Sequence, residues 1–296
     1  MTTRALHVQG RAPARAAARQ SRAAATRLAL ATLLCTLSSA CGTPPATDGV
    51  DVATVRADLA VVARARILLG HQSVGRDILA GVRTLAAEAG VPLRIVEIDG
   101  APPDDLPGIF HSNIGRNGDP EGKCEVFLHL LDRPDRPRYD LAMMKFCYVD
   151  LSADAKLDAA RLLERYAALV AGLTAARPDV PLLHVTMPLR ADPPGWRTSL
   201  KRWLGRDAAE DADNALRNAF NTGLRSRFPG APLFDLAEVE STRPDGSRSA
   251  FTRDGRTVYT LAPDYTTDGG HLNAAGQRRT AAALLHAVAA SLSGRR

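Results

Sequence analysis

Two short segments near opposite ends of the chain hold side chains that could move protons and attack a carbonyl carbon. The first is Gly70-His71-Gln72-Ser73-Val74-Gly75, and the second is Thr267-Asp268-Gly269-Gly270-His271-Leu272-Asn273. A serine hydroxyl is a weak nucleophile until an adjacent base takes its proton. Histidine suits that task because its ordinary pKa lies close to neutrality. An aspartate three residues before the histidine, across two glycines, can fold back onto the imidazole, fix its tautomer and stabilise the imidazolium. Each piece also has a simpler reading. Serine often caps a helix, a loop histidine can be merely solvated, and two glycines permit a turn with or without catalysis.

The elements around these segments decide which reading gains weight. Ile67 to Gly70 is a short apolar run that reads as a buried strand, and Val74 to Ala89 follows as a helix. That helix has Ile78, Leu79, Val82, Leu85 and Ala86 on one face and Gly90 to close it. Ser73 therefore falls at the carboxyl end of a strand and at a helix N-terminus, where free N–H groups and the dipole favour developing negative charge. Further strands are expected at Leu93 to Ile98, Leu141 to Val149, Val180 to Met187 and Pro232 to Leu236. Helices are expected over Glu121 to Leu131, Ala153 to Ala176, Asp211 to Phe228 and Ala274 to about Leu292. A Gly/Pro/Asp-rich loop is expected from Asp99 to about Pro120. Five mainly parallel strands alternating with helices predict a three-layer α/β/α doubly wound sandwich of flavodoxin-like type. In such sheets sites gather at the carboxyl ends of the strands. His271, in a loop just ahead of the last helix, can reach that edge.

With these contexts, the two segments resemble the SGNH/GDSL hydrolase family, in which the nucleophilic serine follows the first strand and the base arrives in Asp-x-x-His before the C-terminal helix. The resemblance implies Ser73 as nucleophile, His271 as base and Asp268 as its orienting carboxylate, with no cofactor. The Gly-His-Gln-Ser-Val-Gly block departs from the family's usual Gly-Asp-Ser and is similar to a divergent bacterial branch. Asn113-Ile114-Gly115-Arg116-Asn117-Gly118-Asp119-Pro120 resembles the family's glycine block. The resemblance therefore assigns the oxyanion hole to the backbone amides of Ser73 and Gly118, although the same residues also suit a tight turn. The family's oxyanion asparagine has no counterpart, because the matching stretch is Cys147-Tyr148-Val149-Asp150 and Val149 has no side-chain donor. Asn117 is the first candidate substitute, with Lys145 and Tyr148 behind it. His71 and Gln72 flank the nucleophile and are expected either to contact substrate or to shape the turn. No metal site is expected, since no pair of histidines has helical i,i+4 ligand spacing, and His184 reads as a packed strand residue.

The ends and the composition bound the setting. The first forty residues hold Arg4, Arg11, Arg15, Arg19, Arg22 and Arg27, no acidic residue, an apolar run from Leu28 to Leu37, and then Ser38-Ser39-Ala40-Cys41. That pattern reads as a secretory signal over residues 1–40, with two open outcomes: plain cleavage after Ala40, or a lipid anchor on Cys41. Residues 41–55 read as a linker and 56–296 as a single domain. Of 38 Lys+Arg, the six leader arginines leave 32, equal to the 32 Asp+Glu. The basic balance thus belongs to the leader, which argues against a nucleic-acid partner. Beyond Cys41 only Cys124 and Cys147 remain, which could pair in an oxidising compartment or stay as separate thiols. The expected protein is an exported, monomeric esterase in the periplasm or cell envelope, acting on small or carbohydrate-borne esters. Two rival expectations are an O-acyltransferase of the same fold and a non-catalytic carbohydrate-binding envelope lipoprotein.

Overall fold

The computed structural model describes residues 49–135, 137–154, 157–192, 195–204 and 210–294. The leader, Cys41 and most of the linker lie outside these residues. The first helix, α1 (Val52–Val62), begins inside the stretch read as linker, with the Asp51 carboxylate accepting from Ala53 and Thr54 N–H. Then follow β1 (Arg66–His71), α2 (Ser73–Ala89), β2 (Ile95–Glu97), β3 (Gly108–Asn113), α3 (Pro120–Leu131) and β4 (Leu141–Met144). The second half contains α4 (Ala159–Ala176), β5 (His184–Val185), α5 (Trp196–Trp203), α6 (Asp211–Arg227), β6 (Leu233–Phe234) and α7 (Leu236–Ser241). A hairpin of β7 (Ala250–Arg253) and β8 (Arg256–Tyr259) precedes the last helix, α8 (Ala274–Ser293).

Four parallel strands run in the order β2-β3-β1-β4, and β5 pairs with β6, also in parallel. A parallel bridge between Ala142 and Leu182 joins the two groups into one layer. Alternation along β1 sets the two cores. Ile67 and Leu69 face α1, α2 and α8, whereas Leu68 faces α3, α4 and α6. This is the three-layer α/β/α sandwich expected from the pattern, with one more central strand than the five read from the sequence.

The additional strand is β3, which lies in the segment read as loop. Its sequence, Gly-Ile-Phe-His-Ser-Asn, has only two large apolar residues and sits beyond Asp- and Pro-rich chain. Pairing on both edges, with β1 and β2, buries its polar His111 and Ser112 all the same. Its position matters for the site. From β1 the chain goes out to β2 and returns through β3 on one side, then crosses to β4 on the other. The carboxyl end of β1 is therefore the topological switch point, where an open parallel sheet leaves a crevice. Ser73 opens α2 at that crevice. At the far end of α2, Gly90 adopts φ 65° and ψ 29° and its N–H reaches back to the last turn, as a left-handed cap does.

Candidate active site

The junction between β1 and α2 holds the serine in place. Gln72 is the extended N-cap residue, and its carbonyl accepts from Gly75 N–H at 2.8 Å. Its side-chain amide donates to the Ile114 and Gly115 carbonyls at 2.8 and 2.9 Å, tying the end of β1 to the loop after β3. His71 is fully buried. Its Nδ1–H donates to the Gln72 carbonyl at 2.8 Å, and its Nε2 lies 3.0 Å from His111 Nδ1. Burial pushes the His71 pKa down to about 3, so the ring is neutral and accepts from His111 at Nε2. A Cβ on Gly75 would lie 2.4 Å from the His71 Cβ and Cγ atoms. The glycine at the end of the block is what lets this imidazole sit beneath the helix. The substrate-contact alternative is therefore corrected in favour of the turn-shaping one: the burial of His71 and the backbone bonds of both residues make them braces of the turn.

At the far end of the chain, Asp268 and His271 meet as their spacing predicts. Asp268 Oδ2 lies 2.6 Å from His271 Nδ1, and Asp268 Oδ1 accepts from Gly270 and His271 N–H at 2.8 Å each. The His271 hydrogen bond, aided by those two amides, holds the carboxyl well below the usual range. With Nδ1–H donating to the carboxylate, Nε2 presents a lone pair, and Ser73 Oγ lies 3.0 Å from it. The structure thus brings together Ser73, His271 and Asp268 from positions 198 residues apart. The His271 side chain is 44 % exposed and that of Asp268 54 %, so the assembly opens to solvent.

Two supports of the base were not legible from motif reading. Leu272 N–H donates to Asp77 Oδ2 at 3.1 Å, fastening the base loop to the nucleophile's helix. Asp77 lies four residues after Ser73 on α2, a same-face spacing that could have drawn attention to it. Burial raises its carboxyl pKa. Arg190 Nε and Ala191 N–H both meet the Gly269 carbonyl, at 3.4 and 2.9 Å, and hold the loop from its other side.

The expected oxyanion residues are not arranged as the family resemblance implies. Gly118 N–H donates to Asp150 Oδ1 at 2.9 Å and so is already committed. Asn117 is exposed and its side-chain oxygen accepts from Lys123 Nζ at 3.2 Å. The Gly118 assignment is corrected, while the Asn117 contact leaves its side-chain NH₂ uncommitted. The carboxylate that engages Gly118 is a brace: Asp150 also accepts from Cys147 N–H at 2.7 Å and from Lys123 Nζ at 2.6 and 2.8 Å, with both ionic side chains at 0 % exposure. Val149 points outward at 38 % exposure. Lys145 is buried and donates to the Phe146 carbonyl at 2.9 Å, with burial lowering its pKa. Tyr148 remains, its ring packed edge-on against His271 with centroids 6.1 Å apart.

Cys124 and Cys147 are both buried free thiols, so the pairing considered from sequence does not form, and burial pushes Cys124 up to about 12. His184 packs in the core, with Nδ1 2.9 Å from Tyr166 Oη and its ring stacked on Phe228. Among the described residues no group of three His, Cys, Asp or Glu side chains could hold a metal ion. Clefts of about 640 and 940 Å³ lie elsewhere, one along β6 and α8 and the other between α6 and the hairpin. Helix α5 ends at Trp203, which is 81 % exposed.

No protein-family model and no curated protein matches the sequence. Among solved structures, the chain is similar to a carbohydrate esterase family 3 protein from Talaromyces cellulolyticus, at 11 % identity over 78 % of this chain and 99 % of that one, with a TM-score of 0.44. It is similar to a lipase/acylhydrolase from Enterococcus faecalis at 14 % identity, covering 76 % and 96 % of the two chains, with a TM-score of 0.42. An aryl esterase from M. smegmatis, solved in an inhibitor-bound form, is 18 % identical over 76 % and 98 %, with a TM-score of 0.41.

Proposed function

We propose that the chain is a serine esterase of the SGNH/GDSL type, exported and acting on carboxylic esters of small or carbohydrate-borne alcohols. The observation that carries this reading is the continuous relay from Asp268 Oδ2 through His271 to Ser73 Oγ, with spacings of 2.6 and 3.0 Å. Those spacings lie within direct proton-transfer reach. In the reaction, His271 Nε2 takes the Ser73 proton while Oγ bonds to the ester carbon and the carbonyl oxygen becomes an oxyanion. The Ser73 N–H, in the first turn of α2, faces that charge with the positive end of the helix dipole behind it. Collapse of the adduct breaks the bond to the alcohol oxygen, which leaves with the proton from His271. Water then repeats the sequence on the acyl-serine and frees the acid.

The openness of the base and its carboxylate, at 44 and 54 % exposure, favours acyl groups presented from a larger body, such as O-acetyl groups on polysaccharide. The test is hydrolysis of p-nitrophenyl acetate by the purified protein beside Ser73→Ala, with labelling by a fluorophosphonate. Turnover and labelling, both lost in S73A, are the expected result. Activity equal in the two proteins, or an unlabelled Ser73, would overturn the reading and leave a carbohydrate-binding module. Acetylated product from an added acceptor sugar, in place of free acetate, would replace esterase by acyltransferase.

A further inference from the structure

With Gly118 N–H committed to Asp150, the polar side chain that borders the base with its hydrogen-bonding capacity unused is that of Tyr148. Tyr148 follows β4, the strand that pairs with β1 on the side away from β3. It therefore enters the crevice from the β4 side, on the same short turn as the Asp150 that engages Gly118 N–H. Its ring borders the same imidazole that receives the Ser73 proton, at 6.1 Å between centroids and 74° between planes. The phenol end lies against Gly270: a Cβ placed there would come within 2.9 Å of both Cζ and Oη. Glycine at 270 is thus what gives the hydroxyl its room beside the base. The residue is 8 % exposed, yet the hydroxyl has no hydrogen-bond partner among the described residues.

The rest of Tyr148 is held firmly. Arg217 Nε donates to its carbonyl at 2.7 Å, and Asp150 accepts from the preceding N–H at 2.7 Å. The guanidinium groups of Arg190 and Arg217 lie 5.1 and 6.0 Å from the ring centroid. Positive charge near the ring draws electron density from the phenol oxygen and strengthens the O–H as a donor. Burial nevertheless raises its pKa above the ordinary tyrosine value, so the proton stays in place at neutral pH.

We infer that Tyr148 is a catalytic residue whose hydroxyl donates the side-chain hydrogen bond to the ester oxyanion, in the place that Val149 cannot fill. This rests on the serine-esterase reading above and deepens it. The donor bonds more strongly to the developing O⁻ than to the ground-state carbonyl, so its effect belongs to kcat and not to KM.

The experiment compares the full-length protein with Tyr148→Phe, which keeps the ring and its packing. Expected are a fall in kcat of about 10²–10³-fold, KM within about twofold, and an unchanged thermal midpoint. Affinity for a boronic acid, which forms a tetrahedral adduct on serine, should fall with kcat, whereas affinity for the substrate should not. A Y148F protein with kcat within about threefold of wild type refutes the assignment while the esterase reading stands. A parallel loss of kcat and thermal midpoint, with boronate affinity kept, makes Tyr148 a packing residue and equally refutes it. Wild-type protein with neither turnover nor Ser73 labelling removes the esterase reading, and this inference with it.

Discussion

Replacing Lys123 by methionine should unfold this protein in markedly less urea, and the arithmetic can be done from the contacts of one buried carboxylate. Lys123 and Asp150 are both at 0 % side-chain exposure, with Nζ 2.6 and 2.8 Å from the two carboxylate oxygens. Lys123→Met leaves the Asp150 anion in a dry site with two amide donors, from Gly118 and Cys147, and no counter-charge bonded to it. Removing one partner of a buried pair costs about 3–5 kcal/mol. Against a total stability of roughly 5–15 kcal/mol, that is a large share. Asp150→Asn strands the ammonium instead and leaves one of the two backbone amides facing an NH₂ group, which adds about 1–3 kcal/mol. The double variant removes both charges, so it should lose less than the two single losses together, with a coupling of about 2 kcal/mol or more. Urea titrations at neutral pH, followed by circular dichroism, give all four corners of the cycle. A K123M protein within about 1 kcal/mol of wild type, or strict additivity in the cycle, would mean that water reaches the pair and that Asp150 is not the brace described.

Three further outcomes follow from the same contacts. Asp268→Asn should lower kcat about 10³–10⁴-fold with little change in KM, because the amide oxygen stays with the Gly270 and His271 N–H groups while the NH₂ faces Nδ1, selects the wrong tautomer and cannot stabilise the imidazolium; steady-state kinetics on p-nitrophenyl acetate measures both, and an unaffected kcat would remove Asp268 from the relay. Gly75→Ala should reduce the thermal midpoint by the equivalent of about 1–3 kcal/mol, since its methyl group would overlap the His71 ring at 2.4 Å; equal midpoints would show that the His71 ring gives way freely. Glu240 is fully buried, and burial pushes its carboxyl from 4.5 up to about 8, with Leu189 N–H on one oxygen and no partner on the other. The unfolded chain releases that proton near 4.5 while the native state keeps it until about 8, so the native state binds more protons between these values and stability falls as pH rises through them. Urea midpoints of E240Q should lie on a flatter pH profile than those of wild type, and parallel profiles would refute the assignment.

The helices that carry the site were legible because their apolar stripes and caps are local. Helix α2 and its Gly90 cap, and α8 behind His271, need no distant partner to be recognised. The relay was legible for a related reason: Asp268 and His271 are bound by short-range chain geometry, and Ser73 is placed by a strand-to-helix switch. What escaped depends on pairing across space. Strand β3 hides His111 and Ser112 only because it is flanked on both sides, and no alternation in its six residues announces that. Gly118 sits in a turn that looks suited to an oxyanion, but the carboxylate that claims its N–H is 32 residues away. Tyr148 stands behind Asn117 among the substitutes read from sequence, since nothing local tells that Val149 turns outward while the ring before it turns toward His271.

The distance along the chain between nucleophile and base has a consequence for when chemistry can begin. Both lie at the N-terminal ends of helices that pack together, α2 and α8, with Gly81 of one against the Gln277 carbonyl of the other. Closing a loop of 198 residues carries an entropic cost of about 5 kcal/mol beyond a constant, which the docking of α8 and the bonds that hold the base loop offset. A growing chain thus presents Ser73 early, before His271 has been added. Reactivity switches on in one step, when the final twenty-odd residues arrive and seat. On the proposed reading the fold supplies its own safety catch: an unfinished or C-terminally clipped copy would keep its serine and lack its base.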